Sequence, residues 1–379
     1  MNNIPLHQWL AGPLPPGVED ILKRLRRTAG VVHIAVMPDV HRAAEFCVGT
    51  VVASDRFLFP NAVGGDIGCG MLALQFHHPG PAPELLADPH QAAQLLGLLE
   101  TACPGRRHRR GYAPDLPEQI PLSHPFLNAQ QSADACRAQL GTLGGGNHFL
   151  ELQTDDAGTL WLMLHTGSRN LGQRIHRHHL AHAQRLPTGI LAIPTDSDAG
   201  HAYLADVQTG RQWAKSNRHL LAIAAAQAIE QTLGATPLLD TLIDCDHNHL
   251  SPETHAGRSL FIHRKGATAA HLGTPGLIPG SMATHSFHTR GNGSSESLCS
   301  SSHGAGRTLS RSESRQQITR KKLREQLSRA GVWYDPRLES SLIEESPTAY
   351  KPIDAVMAAQ SDLTTITRRL RPLLIHKAK

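Results

Sequence analysis

Cysteine is scarce in this sequence: six in 379 residues, at positions 47, 69, 103, 136, 245 and 299. So few, so widely scattered, cannot form the disulfide framework of a secreted scaffold. In a reducing compartment a functional cysteine is instead a metal ligand or a nucleophile. Phe, Trp and Tyr together supply only 4%. No apolar run approaches the roughly 20 residues that span a bilayer; the longest, Leu220 to Ile229, is short and alanine-rich. The opening MNNIPLHQWLAG lacks the charged-then-apolar layout of a secretory leader, so a cytoplasmic location without a membrane partner is expected. Neither sign of charge dominates: 37 Lys and Arg against 32 Asp and Glu leave +5. That excess permits a polyanionic partner without requiring one. Fixed-period repeats, long low-complexity tracts and convincing linkers are also missing, so one large domain over residues 1–379 is expected.

What the sequence has is histidine, 25 in all, outnumbering 8 Phe, 4 Trp and 4 Tyr combined. Histidine supplies metal ligands, general bases and occasional nucleophiles, although a cluster such as His176, His178 and His179 can simply decorate a helix. Apolar residues make up 40%, enough to bury a core and to exclude global disorder. Residues 31–38 pattern as a buried strand ending at Pro38, with further strands at 47–53, 71–76, 148–153, 160–165, 240–244 and 258–263. Helices are expected at 89–103, at about 204–233 and around Arg320, Lys321, Lys322 and Arg324, with a polar loop over 289–306. Strands and helices mix without a regular βαβ rhythm, which favours an α+β fold of mixed and antiparallel sheets. The loop carrying Arg106, Arg107, Arg109 and Arg110 reads equally as a solvated turn or a phosphate-contacting patch.

Five short segments set candidate ligands among glycines. In Gly64-Gly65-Asp66-Ile67-Gly68-Cys69-Gly70 a carboxylate and a thiol three residues apart can address one ion, or the turn can merely bury its cysteine. The run Gly141 to Gly146 suits a phosphate cradle but is neither a Walker loop nor a dinucleotide fingerprint. It leads into a strand on which Asn147, Phe149 and Glu151 share one face and His148 takes the other. His165-Thr166-Gly167-Ser168-Arg169 places an imidazole beside an anion clamp, and Asp246-His247-Asn248-His249 ends another apolar run. Downstream, His263-Arg264-Lys265-Gly266 follows a strand with two cations. Ser302-His303-Gly304-Ala305-Gly306-Arg307 surrounds a histidine with small residues, the steric openness that a nucleophile needs, and Arg307 can pair with phosphate bidentately. Each segment also has a purely structural reading. Together they offer mixed O, S and N ligation, which suits a divalent transition metal and excludes an all-oxygen Mg or Ca cage. The spacings are too wide for a local knuckle, so the fold must assemble any such site.

In order, VMPDVH, VGGDIGCG, GTLGGGNHFLE, HTGSRNLG, HNH, HRKGAT, LIPGSM, HGAGR with TLSRS, AYKPID and RPLLIHK resemble the RtcB family of RNA-splicing ligases over about residues 31–377. The resemblance implies a GTP- and Mn²⁺-dependent enzyme with a central metal and nucleotide cleft. Such an enzyme joins RNA 2′,3′-cyclic phosphate or 3′-phosphate ends to 5′-hydroxyl ends, in RNA repair or tRNA splicing. It implies that Asp66, Cys69, His148, His165 and His247 hold two manganese ions, with Zn or Co as substitutes and Cys69 bridging. His303 would attack the α-phosphate of GTP, so guanylation should fall away in acid, where the ring is protonated. Asn147, Phe149, Glu151, Ser281, Ala305, Gly306, Tyr350 and Lys377 would form the nucleotide pocket. Arg169, Arg307, Arg264 and Lys265 would meet RNA phosphates. Further expectations are an accessory activator protein and a monomer or weak oligomer. A metal-dependent cyclic-phosphate hydrolase and a silent RNA-binding paralogue are the alternatives.

The chain also departs from the family's usual pattern. Arg42-Ala43-Ala44-Glu45-Phe46-Cys47 follows MPDVH, Gly65 and Gly68 occupy the metal turn, Ser302 precedes the nucleophile, and Asn170 follows Arg169. These changes imply a paralogue aimed at a particular damaged RNA.

Overall fold

The computed structural model describes residues 4–78, 80–108, 121–132 and 134–378. The largest sheet has seven strands, all antiparallel to their neighbours. Their order is Thr236–Asp246, Gly70–His77, Leu160–Thr166, Phe149–Asp155, Thr364–His376, Ser286–Gly291 and Pro275–Ile278. Strand alternation sorts its side chains. Leu72, Leu74, Leu150, Leu152, Leu160, Leu162 and Leu164 face a core closed by the helices Pro89–Ala102 and Asp198–Leu233. Met71, Trp161 and Met163 face the other way, on the side that also carries Phe149, Glu151 and His165.

A second sheet runs Leu6–Gln8, Val31–His41, Val48–Ser54, Arg258–Lys265, Asn248–His255, with only its first pair parallel. His247 is the single residue between the Thr236–Asp246 strand of one sheet and the Asn248–His255 strand of the other. The chain therefore turns from sheet to sheet at a histidine. A two-stranded ribbon, Ala267–Ala269 with Ser300–Ser302, leads into His303. The α+β architecture is as expected, and among the described residues no helix is long and apolar enough to cross a membrane.

Several boundaries differ from expectation. Pro38 does not end its strand, which continues to His41; the partner register is irregular between Val36 and His41, so the missing N–H interrupts no regular ladder. The long helix begins at Asp198 rather than 204, because Ser197 caps it by accepting from the Gly200 N–H at 3.1 Å. The polar stretch 289–306 is not all loop. It holds the end of Ser286–Gly291 and all of Ser300–Ser302, whose serines are buried. The turn residues Arg109 and Arg110 lie outside the described residues.

Candidate active site

Two backbone stitches bring the Asp66–Gly70 turn against the sheet corner: His247 N–H donates to Cys69 O at 2.8 Å and Gly68 N–H to Asn248 O at 2.7 Å. Gly70 permits this approach, since a Cβ there would stand 2.4 Å from Cys245 O. Gly167 does the same just past the end of the neighbouring strand Leu160–Thr166, where a Cβ would meet the Asp66 carboxylate at 2.2 Å. The result is two trios of donor atoms sharing one sulfur: Cys69, His165 and His247, and Asp66, Cys69 and His148. Within each trio all three ligand atoms lie within 4.8 Å of one another. His165 Nε2 is 3.2 Å from Cys69 Sγ and 3.3 Å from His247 Nε2, while His148 Nε2 is 3.0 Å from Asp66 Oδ2.

The donor set fits divalent metal. His148 Nδ1 bonds Leu143 O at 2.9 Å and His165 Nδ1 bonds Asn147 O at 3.1 Å. Since carbonyls only accept, both rings carry a proton on Nδ1 and turn Nε2 inward as the atom that a metal would take, the outer-shell arrangement of metal-bound histidine. Burial first, then neighbouring imidazoles, hold His165 and His247 well below the ordinary histidine range. Both are therefore neutral ligands. Burial and the nearby Asp66 push the Cys69 thiol up, so a cation binding there displaces a proton. Burial alone would raise the Asp66 carboxyl, but His148, Cys69 and Arg169 together hold it low.

Three residues of the long helix, none anticipated from sequence, fix these turns. Asn217 Oδ1 accepts from Gly141 N–H (2.7 Å) and Thr142 N–H (3.1 Å), while its Nδ2 donates to Thr142 O and Gly167 O. Arg218 donates to Gly68 O at 2.7 Å and pairs with Asp244 at 2.8 Å. Arg211 grips Asp246 through two bonds. No sequence signal marked them, since they lie in the polar stretch 210–219 among other charged and polar residues.

His303 lies beside this centre, its ring centroid 4.7 Å from that of His247. Its Nδ1–H donates to the buried Asp39 carboxylate at 2.6 Å, which leaves Nε2 as the free nitrogen. Asp39 stands in the VMPDVH segment, but no role was read for it there. Around His303 opens a cleft of about 1060 Å³. Asn147, Phe149, Glu151, Ser281, Ala305, Gly306, Tyr350 and Lys377 all line it, together with Lys265, Arg307 and four of the five candidate ligands, His148 excepted. The unusual residues 42–44 line it too. Burial pushes the Glu151 carboxyl up to about 7, against a hydrogen bond from Gln153 and the charge of Lys377. Tyr350 donates to Glu345, which also pairs with Arg307 and Arg311.

Residues 22–120 and 117–378 match the family model described as tRNA-splicing ligase RtcB. The chain belongs to the RtcB family. It is 36% identical over 416 residues to the RNA-splicing ligase RtcB of Escherichia coli K12, covering 99% of this chain and 98% of that protein. It is 32% identical to the RNA-splicing ligase RtcB of Mycobacterium tuberculosis, over 91% of this chain and 96% of that one. The tRNA-splicing ligase RtcB of Archaeoglobus fulgidus is 29% identical over 90% and 87%.

The four cations expected to meet RNA sit differently within this RtcB chain. Arg264 is a correction: it is completely buried, ion-paired with Glu253, and does not line the cleft. Arg169 lies outside the cleft lining, donating to Thr142 Oγ1 and Gly105 O. Lys265 and Arg307 do line the cleft, with Lys265 Nζ on Asn61 O at 2.8 Å and Arg307 held by Glu345 and the Glu344 carbonyl.

Proposed function

We propose that this protein is a GTP- and Mn²⁺-dependent RNA ligase. It would join 2′,3′-cyclic phosphate or 3′-phosphate ends to 5′-hydroxyl ends through a guanylated histidine. The observation that carries the reading is a histidine with one ring nitrogen pinned by Asp39 and the other free, beside two ligand trios that share Cys69. His303 Nε2 attacks the α-phosphate of GTP; an N–P bond forms and pyrophosphate departs. A 2′,3′-cyclic end is first opened by water at its P–O2′ bond. The resulting RNA 3′-phosphate then takes GMP from the histidine, breaking the N–P bond, and the 5′-hydroxyl oxygen attacks that activated phosphorus and expels GMP. Asp66, Cys69, His148, His165 and His247 would hold divalent ions, which would supply charge neutralisation for the phosphates.

The chain's own groups divide the remaining work. Asp39 orients the nucleophile and fixes its tautomer. Glu151, Asn147, Phe149 and Ser281 shape the nucleotide end of the cleft, while Tyr350, Arg307 and Lys377 supply its polar wall. A cyclic-phosphate hydrolase would need neither the free His303 nitrogen nor a nucleotide-sized cleft.

The test is incubation with Mn²⁺ and α-labelled GTP, followed by joining of 3′-phosphate and 5′-hydroxyl RNA fragments. An acid-labile protein–GMP adduct that disappears in His303→Ala, together with joined RNA, supports the ligase. Phosphate release without an adduct would replace it with the hydrolase.

A further inference from the structure

Arg264 is the largest of the fully buried side chains, and its guanidinium spends its donors on more than one ion pair. Nη1 and Nη2 both reach the Glu253 carboxylate. Beyond that pair, Nε donates to Ser300 Oγ at 2.9 Å, and Nη2 to Leu298 O at 3.0 Å and Cys299 O at 3.5 Å. Nη1 also reaches His249 Nε2 at 3.1 Å. Neutralising Glu253 would require only the first two contacts.

The remaining contacts converge on a strained turn. Leu298 and Cys299 have φ of 53° and 47°, the left-handed region that residues with a Cβ avoid. Two such residues in succession persist only where the surroundings over-determine them, and such strain gathers at functional positions. The turn opens directly into Ser300–Ser302, which pairs with Ala267–Ala269 and delivers His303 to the cleft. Farther along the same segment, Gln360 holds Ser302 through two bonds and Asp39 receives the His303 N–H. The turn therefore sets where the strand begins, and with it where the ring ends. Through His249 the same guanidinium touches the strand that starts just after His247.

We propose that Arg264 is a positioning residue for His303. It holds the left-handed Leu298–Cys299 turn closed, so that the ring nitrogen arrives in register with the metal-ligand corner. This rests on the reading of His303 as the nucleophile.

The test compares wild type, His303→Ala, Ser300→Ala, Arg264→Lys and Arg264→Lys with Cys299→Gly. Each is assayed for adduct formation with Mn²⁺ and labelled GTP, for metal content, and for amide exchange across 298–303. Misplacing a reacting group by about 1 Å can cost about 100-fold, so Arg264→Lys should slow adduct formation at saturating GTP at least about tenfold. Metal content and the KM for GTP should stay within about twofold, since neither the ligands nor the pocket has changed. Glycine accepts positive φ without a steric cost, so Cys299→Gly should return Arg264→Lys to within about threefold of wild type. A residue that merely neutralised Glu253 would not be rescued in this way. Failure of the rescue, or a loss carried by metal content or KM, overturns the proposal.

Should Arg264→Lys not fold, Ser300→Ala decides, because it keeps the ion pair and removes the Arg264 strap to Ser300 together with the Ser300 hydroxyl's own bond to Leu298 O. Slower adduct formation in it supports the proposal, and an unchanged rate overturns it. If wild type forms no adduct, it is the nucleophile reading that fails. Exchange across 298–303 then judges the strap by itself: faster in both variants supports it, unchanged overturns it.

Discussion

Asp39 Oδ2 stands 2.6 Å from His303 Nδ1 and 3.2 Å from the backbone N–H of the same residue. One completely buried carboxylate thus fixes both the rotation of the ring and the nitrogen that carries its proton. Asp39→Asn keeps the shape but offers an amide that can donate where the carboxylate only accepts. Adduct formation should fall about 100-fold or more, with metal content unchanged. Single-turnover labelling with GTP measures it, and a rate near wild type would remove Asp39 from the machinery.

The shared sulfur makes a stoichiometric prediction. Cys69 belongs to both trios and Asp66 to one, so Cys69→Ala should deplete both ions, whereas Asp66→Ala should leave one. Elemental analysis after equilibration with Mn²⁺ gives the count. An ion that binds only the folded chain stabilises it by about 2.7 kcal/mol at 100 times its Kd. Added Mn²⁺ should therefore raise the melting temperature of wild type and fail to raise that of Cys69→Ala.

Glu151 makes stability depend on pH. Burial pushes its carboxyl from 4.5 up to about 7, so between those values the folded chain keeps a proton that the unfolded chain has released. This contribution is full below about pH 4.5 and is lost as pH rises through about 7. Its size is on the order of 3 kcal/mol. In metal-free protein, Glu151→Gln should lose less stability than wild type between about pH 5 and about pH 8. Denaturant midpoints compare the two, and parallel curves would show that the carboxyl is already ionised across that range.

On the helix Arg320–Ala330, Arg320, Lys321 and Lys322 are exposed, and among the described residues no carboxylate pairs with them. If they track an RNA backbone, replacing all three by glutamine should weaken binding. It should also reduce the slope of log affinity against log salt by about 2, at roughly 0.7 per single-strand phosphate. An identical slope would make this an ordinary solvated face.

Residue pattern revealed four of the seven strands of the large sheet, three of them through alternating leucines, and the glycine turns because ligands crowd them. Pro275–Ile278, Ser286–Gly291 and Thr364–His376, which lack that alternation, were missed. It misjudged Arg264, since a cation at the end of a strand looks the same whether its side chain turns to solvent or to core. Lys265 takes the cleft side, and Arg264 the interior, where Glu253 waits. Asn217 and Arg218 were invisible for a related reason: their partners are backbone atoms about 50 to 150 residues away, and only the folded chain makes those neighbours. Asp39 lay in a segment already singled out, but its role depends on a strand passing behind His303.

The rod from Asp198 to Leu233 carries Arg211, Asn217 and Arg218 within about two turns of its middle. Because these three grasp the loops from which the ligands hang, the gap between the two trios is measured off along one stiff body. A protein built this way gathers its ligand atoms by folding alone, all within 4.8 Å in each trio. The cost of gathering polar groups in the interior is met during folding, with hydrogen bonds among them as partial compensation.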